Sequence, residues 1–210
     1  MYRVTEILTA VCLCLMLAHQ AEAGSIVWSG VQDIEYPFVP PLDVNIDLDL
    51  NGVDDFMIRR GGVDAWAYSL VDGNEFFCTT DEEPDKYPPA ARPESSGTLI
   101  AASPVAPKVW YDDTFEGYGQ IMMHQGNGYW VGTDHQYMGV RFFGGSDLYY
   151  GWIEMSIEPD MPNPMTIHSW AYNSVPGEGL VAGVVPEPSS IALLLCGGLA
   201  VIGMHRRKRK

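Results

Sequence analysis

The 210-residue chain holds only four cysteines. Cys12 and Cys14 fall in an apolar N-terminal stretch and Cys196 in an apolar C-terminal one, which leaves Cys78 alone between them. A lone thiol has no intramolecular partner, so a disulfide scaffold is excluded for the central region. Phe76 and Phe77 stand beside it, and burial of the thiol is expected rather than pairing with another chain. Basic residues are also scarce, 12 Lys and Arg against 27 Asp and Glu. A nucleic-acid binder needs a basic patch to displace counterions from phosphate, so that function class is excluded. Between residues 24 and 184 the imbalance sharpens to six basic against 24 acidic side chains. Such a charge favours solubility and cation uptake and disfavours anionic lipid surfaces.

Catalytic signatures are missing too. The sequence has no Gly-x-Ser-x-Gly, no His-Glu-x-x-His and no phosphate-binding glycine loop. His124, His135 and His168 have no Cys or second His at zinc spacing, and each reads as a surface or satisfied strand residue. Glycoside hydrolysis needs only two carboxylates at a set separation, and so many acids single out no pair. No stretch between 24 and 184 carries an amphipathic helical period.

The two ends of the chain are informative. Arg3 precedes an apolar run from Ile7 to Leu17, followed by Ala21-Glu22-Ala23 with small residues at the −3 and −1 positions of a cut. That order reads as a signal peptide over residues 1–23, with a signal helix too short for a comfortable span of ~20 residues. At the other end, residues 185–210 have three parts. Pro186-Glu187-Pro188 opens a rigid polar hinge, Ile191 to Met204 is apolar, and Arg206-Arg207-Lys208-Arg209-Lys210 closes it. An apolar run stopped by clustered cations predicts a transmembrane helix with its basic side in the cytoplasm.

Pro186-Glu187-Pro188, a hydrophobic helix and a terminal Arg/Lys cluster together resemble the PEP-CTERM sorting signal. The resemblance implies recognition by an exosortase-type sorting enzyme in the inner membrane, with anchoring through the C-terminal helix. Export of the rest of the chain to the cell surface or extracellular matrix would follow. It covers about the last 25 residues and carries a route, not an activity.

The part between, residues 24–184, reads as one all-β domain. Alternation and β-branched or aromatic content predict strands over 25–31, 44–50, 56–59, 65–71, 119–122, 129–132, 138–143, 152–157, 166–172 and 180–183. Gly61-Gly62 and Gly144-Gly145 are the clearest turn signals, and the Pro-rich, acidic stretch 81–97 reads as an exposed loop. Many short strands with frequent turns predict an antiparallel β-sandwich or jelly roll. Asn51 to Phe56, Gly139 to Phe142, Tyr150 to Ile153 and Trp170-Ala171-Tyr172 resemble, in that order, bodies often attached to this sorting signal. That likeness implies no activity.

One constellation carries chemistry. Asp47, Asp49 and Asn51 place oxygens at every second residue before Gly52, with the Val53 carbonyl and Asp55 following. This matches the first half of a calcium loop, since calcium takes several hard oxygens at once around a glycine turn. Position 12 is Ile58 rather than a bidentate Glu, and the flanks read as strands, so an EF-hand is not expected. The competing reading is a half-buried strand in which Val44, Ile46, Leu48 and Leu50 alternate with Asp43, Asn45, Asp47 and Asp49. Both hold if the strand ends in a cation-binding turn. Trp110, Tyr111, Trp130 and Tyr137 are candidates for a sugar-stacking platform, set against core packing.

The expected role is therefore a non-enzymatic surface or extracellular-matrix component. A calcium-assisted carbohydrate-binding module and a polysaccharide-active enzyme are the alternatives, with extracellular polysaccharide as the partner they would share.

Overall fold

Period-two burial runs along the central strands, the sign of sheets with a dry face. The computed structural model describes residues 26–36, 42–80, 90–112, 120–123, 128–160 and 164–186. The expected signal helix and C-terminal membrane helix lie outside these residues, and no helix occurs among them.

The described residues form fourteen strands: β1 (Ile26–Trp28), β2 (Ile34–Tyr36), β3 (Leu42–Ile46), β4 (Phe56–Gly61), β5 (Asp64–Ser69), β6 (Glu75–Thr79), β7 (Ala90–Ala91), β8 (Leu99–Ile100), β9 (Lys108–Tyr111), β10 (Gln120–Met123), β11 (Thr133–Gly144), β12 (Asp147–Ile157), β13 (Met165–Asn173) and β14 (Leu180–Val181). The larger sheet runs β1-β13-β12-β11-β6-β7, with β2 also on β13 and β9 also on β6. The second runs β10-β5-β4-β3, and β14 pairs with β8 in a small third sheet. Every pairing with a resolved register is antiparallel. Residues Val27–Val185 form one compact unit.

The two larger sheets share one apolar cluster, which gives the body a sandwich-like build. Ile46, Phe56, Ile58, Ala65 and Ala67 supply one side, and Phe76, Val140, Phe142, Ile153, Met155 and Ile167 the other. Phe56 and Phe76 meet across the layers with ring centroids 5.2 Å apart. Each fully buried side chain of this size contributes about 1.5–3 kcal/mol relative to exposure.

The alternate residues of β11 and β12 are buried as well. Trp152 and Tyr150 are at most 1% exposed yet stand outside that cluster. They belong to a second, smaller layer. Phe77, Trp110 and Tyr150 form a chain of ring contacts at 5.1 and 5.6 Å, and Tyr137 meets Trp152 edge-on at 5.2 Å. Ile100 and Leu180 of the third sheet are buried beside them. Gly139 is required here, because a Cβ would lie 2.7 Å from the Cβ of Phe77. The central part of the larger sheet is thus covered on both faces.

Several expected boundaries move. The strand expected over 44–50 ends at Ile46, and residues 47–55 form a loop. Residues 129–132 form a turn rather than a strand, because Trp130 is wholly buried and donates its Nε1–H to the Ala91 carbonyl at 2.8 Å. The later half of the expected loop 81–97 is not free either. Ala90–Ala91 pairs with β6, and buried Glu94 bridges to Tyr137 and pairs with Lys108. The expected turns form: Gly145 at φ 70° lets the β11–β12 hairpin reverse tightly. Cys78 is fully buried, and burial pushes its thiol well above the ordinary range.

Candidate functional site

The acidic loop is a long hairpin connection, residues 47–55 between β3 and β4. Its base is closed by the Asp55 N–H donating to the Ile46 carbonyl at 2.9 Å. Short acidic and amide side chains then hold the turn through their own backbone. Asp47 accepts from the Gly52 and Asn51 N–H groups at 2.7 and 3.1 Å, and Asp49 accepts from Asn51 N–H at 3.2 Å. Asn51 Oδ1 accepts from Val53 N–H at 2.7 Å. Gly52 sits at φ 90°, and Leu50 adopts φ 60°, a left-handed conformation that costs a branched residue energy.

These turns gather three charges. One carboxylate oxygen each from Asp47, Asp49 and Asp55 lies within 4.8 Å of the others. Asp55 is only 2% exposed; it accepts from Leu48 N–H at 2.9 Å and from the Asn74 amide at 3.3 Å. Burial raises its carboxyl to about 6, the Leu48 N–H opposes the rise, and the charge of Asp49 adds to it. Like carboxylates this close repel unless a proton or a cation neutralises them. Of the five residues expected as ligands, Asp47, Asp49 and Asp55 meet. Asn51 and Val53 are exposed, and Asn51 uses its side-chain oxygen on the turn itself. Ile58, at the twelfth position, is fully buried in the core and supplies no ligand.

Sequence reasoning missed the loop's neighbours. Asn74 steadies Asp55, and Asp49 Oδ2 and the Tyr149 ring both crowd the space beside Gly144. Burial, then Asp49, raises the Tyr172 phenol. No local pattern links these positions to the loop.

Of the aromatics weighed as a sugar platform against core packing, Trp110, Trp130 and Tyr137 pack into the body. Trp130 is wholly buried, Tyr137 is 8% exposed, and Trp110 is packed between Phe77 and Tyr150 with its Nε1–H on the Ala101 carbonyl at 3.0 Å. His124 lies outside the described residues. His135 and His168, each read from sequence as a surface or satisfied strand residue, stack with ring centroids 4.0 Å apart.

Pro186 is the last described residue of the Pro186-Glu187-Pro188 triplet. Residues 184–210 match the PEP-CTERM protein-sorting motif. The chain carries a PEP-CTERM sorting signal. That signal marks a protein for sorting to the cell surface and implies processing by an exosortase. No curated protein and no solved structure matches the chain.

The raised Asp55 carboxyl has a definite sign. A group whose folded pKa exceeds its unfolded value stabilises the fold below the unfolded value, near 4, and that contribution is lost as pH rises through about 6. In chelator, Asp55→Asn should therefore gain stability relative to the native chain as pH rises. The gain should be near zero at pH 4 and reach about 2 kcal/mol at pH 8, as read by urea unfolding of the two proteins. A difference independent of pH would show that Asp55 is ionised at no cost in the fold.

Proposed function

We propose that this is an exported component of the cell surface or extracellular matrix. A signal peptide over residues 1–23 takes it into the secretory route, and the sorting segment and its C-terminal membrane helix hold it for an exosortase. The body is a β-sandwich whose role at the surface needs no turnover. The observation that carries this reading is the sorting motif at residues 184–210. The shared core between the two larger sheets supports a sandwich. The β3-β4-β5 and β11-β12-β13 meanders favour it over a jelly roll. Deletion of residues 186–210 should convert a membrane-associated precursor into a freely released protein, followed by host fractionation with an antibody to the body. An unchanged membrane fraction after deletion would contradict the reading.

A second property is favoured by the carboxylate cluster. Calcium bound by Asp47, Asp49 and Asp55, with the Asn51 side chain and the Val53 carbonyl completing the set, would relieve the repulsion and brace the β3–β4 connection. An incomplete loop should bind weakly, on the order of 10⁻⁴–10⁻³ M, as extracellular modules do. Binding to the native state alone stabilises it by mass action, so millimolar calcium should raise Tm by about 2–5 °C, and magnesium by less. The Asp47→Ala/Asp49→Ala double variant should lose that response. Equal calcium responses in the native chain and the double variant would leave the loop a solvated turn.

A further inference from the structure

The second polar cluster lies on the outer face of the larger sheet, at the far end of β12 from the hairpin turn. Two register slips create it. Between Thr133 and Gln136, β11 carries one more residue than β12 opposite. Between Ile167 and Ser169, β13 does the same, and His168 is the extra residue. Bulges of this kind re-aim a side chain and concentrate beside active sites. Here two of them flank the same strand and bring His135 and His168 over Glu154 and Ser156.

The cluster is held under backbone strain. His135 adopts φ 47° and Asp33 φ 45°, left-handed conformations in residues other than glycine. Asp33 is tied to the bulge, because the N–H groups of Gln32 and Asp33 both donate to the His168 carbonyl, at 2.8 and 3.4 Å. Its carboxylate then meets His168 Nδ1 at 2.9 Å. The opposite ring nitrogen, Nε2, lies 2.8 Å from Ser156 Oγ. Glu154 fixes the other ring, with Oε1 2.8 Å from His135 Nδ1, and is itself fixed by Ser169 Oγ at 2.6 Å.

Donor accounting assigns the protons. Ser156 Oγ accepts from the His135 backbone N–H at 2.9 Å, so its own proton must go elsewhere. His168 Nε2 at 2.8 Å is nearer than Asp134 Oδ1 at 3.2 Å. A Ser156 hydroxyl donating to Nε2 requires the tautomer with hydrogen on Nδ1, which is the one that donates to Asp33. Nucleophile, base and orienting carboxylate are then in line, the arrangement that recurs on unrelated folds and is recognised by geometry rather than by order in the chain. The order here, Asp33, Ser156, His168, left no signature in the sequence.

We propose that Ser156, His168 and Asp33 form a nucleophilic centre for acyl transfer from esters. Ser156 Oγ attacks the ester carbonyl and forms the Oγ–C bond while its proton passes to His168 Nε2. The ester C–O bond breaks, and the departing alkoxide takes that proton. Water then attacks the acyl group, gives a proton to His168, and releases the carboxylic acid as Ser156 recovers its hydrogen. Asp33 holds the imidazole in the required tautomer throughout. The carboxylates of Asp33, Asp134 and Glu154 rim the site, so anionic esters are repelled and neutral esters are favoured. The side chain of His168 is 16% exposed and that of His135 58%, which leaves the site open at the surface. This goes beyond the surface role proposed above and does not depend on it.

The test is covalent labelling of the full chain in detergent with a fluorophosphonate, in which Ser156 Oγ bonds to phosphorus and fluoride leaves. Peptide mapping should find Ser156 modified at least tenfold faster in native than in heat-denatured protein. Ser156→Ala should abolish the adduct and His168→Gln should slow it by roughly 100-fold. Asp33→Asn, whose side chain is 60% exposed and whose loss leaves the core intact, should slow it by tenfold or more. Asp134→Asn should speed it, because the competing charged acceptor for the hydroxyl proton becomes a weaker neutral one. Native labelling no faster than denatured, or modification spread over other serines, would overturn the proposal. So would a slowing by Asp134→Asn equal to that by Asp33→Asn, which would mean that the hydroxyl is donated to Asp134.

Discussion

Strand β12 has to satisfy two apolar layers at once, and most of the fold depends on that constraint. Its residues alternate between Ile153, Met155 and Ile157 in the main core and Tyr150 and Trp152 in the smaller layer. Because the side-chain period of a strand is two, a slip by one residue would exchange the two sets. The hairpin to β11 fixes the register over ten paired positions, from Thr133 with Ile157 to Gly144 with Asp147. The second face needs its own cover, which the short β8–β14 pair and Trp110 provide. Gly139 keeps that face low enough for Phe77 and Ile100 to reach it.

The same strand separates the two chemically distinctive regions. The carboxylate loop crowds Gly144, at the turn end of β12, and the histidine cluster surrounds Glu154 and Ser156 at the other end. Nine residue steps of strand from Asp147 to Ser156 amount to roughly 30 Å. Both regions carry strained left-handed residues, Leu50 in one and Asp33 and His135 in the other. Strain of this kind persists only where the surroundings over-determine it. The bulges that build the histidine cluster coincide with the place where β12 ceases to be covered on its outer face, and polar side chains replace Tyr150 and Trp152 there.

Local features were legible in the sequence and non-local ones were not. Phe56 to Arg59 alternates cleanly because one face of it is buried, and both it and Thr166 to Tyr172 lie within observed strands. The acidic loop was legible because its oxygens sit within nine residues. Strand β6 was missed because Phe76, Phe77 and Cys78 are all buried, on alternate faces, which erases the alternation. The aromatic Tyr129 to Val131 stretch resembled a strand, yet the Trp130 hydrogen bond to Ala91 folds it into a turn. Asp33, His135, Ser156 and His168 come from four strands or their edges and meet only through two bulges. A bulge shifts the phase of a period-two pattern, so the histidines looked like isolated strand residues.

Native-state hydrogen exchange on the full chain tests the double-covered ladder most directly. Amides from Tyr150 to Ile153 and their partners in β11 and β13 should exchange slowest, near the limit set by global unfolding, while those of residues 49–53 exchange orders of magnitude faster. If β3, β4 and β5 kept their protection under conditions where β12 had already exchanged, the second sheet and not the β11-β12-β13 ladder would be the element on which the fold rests.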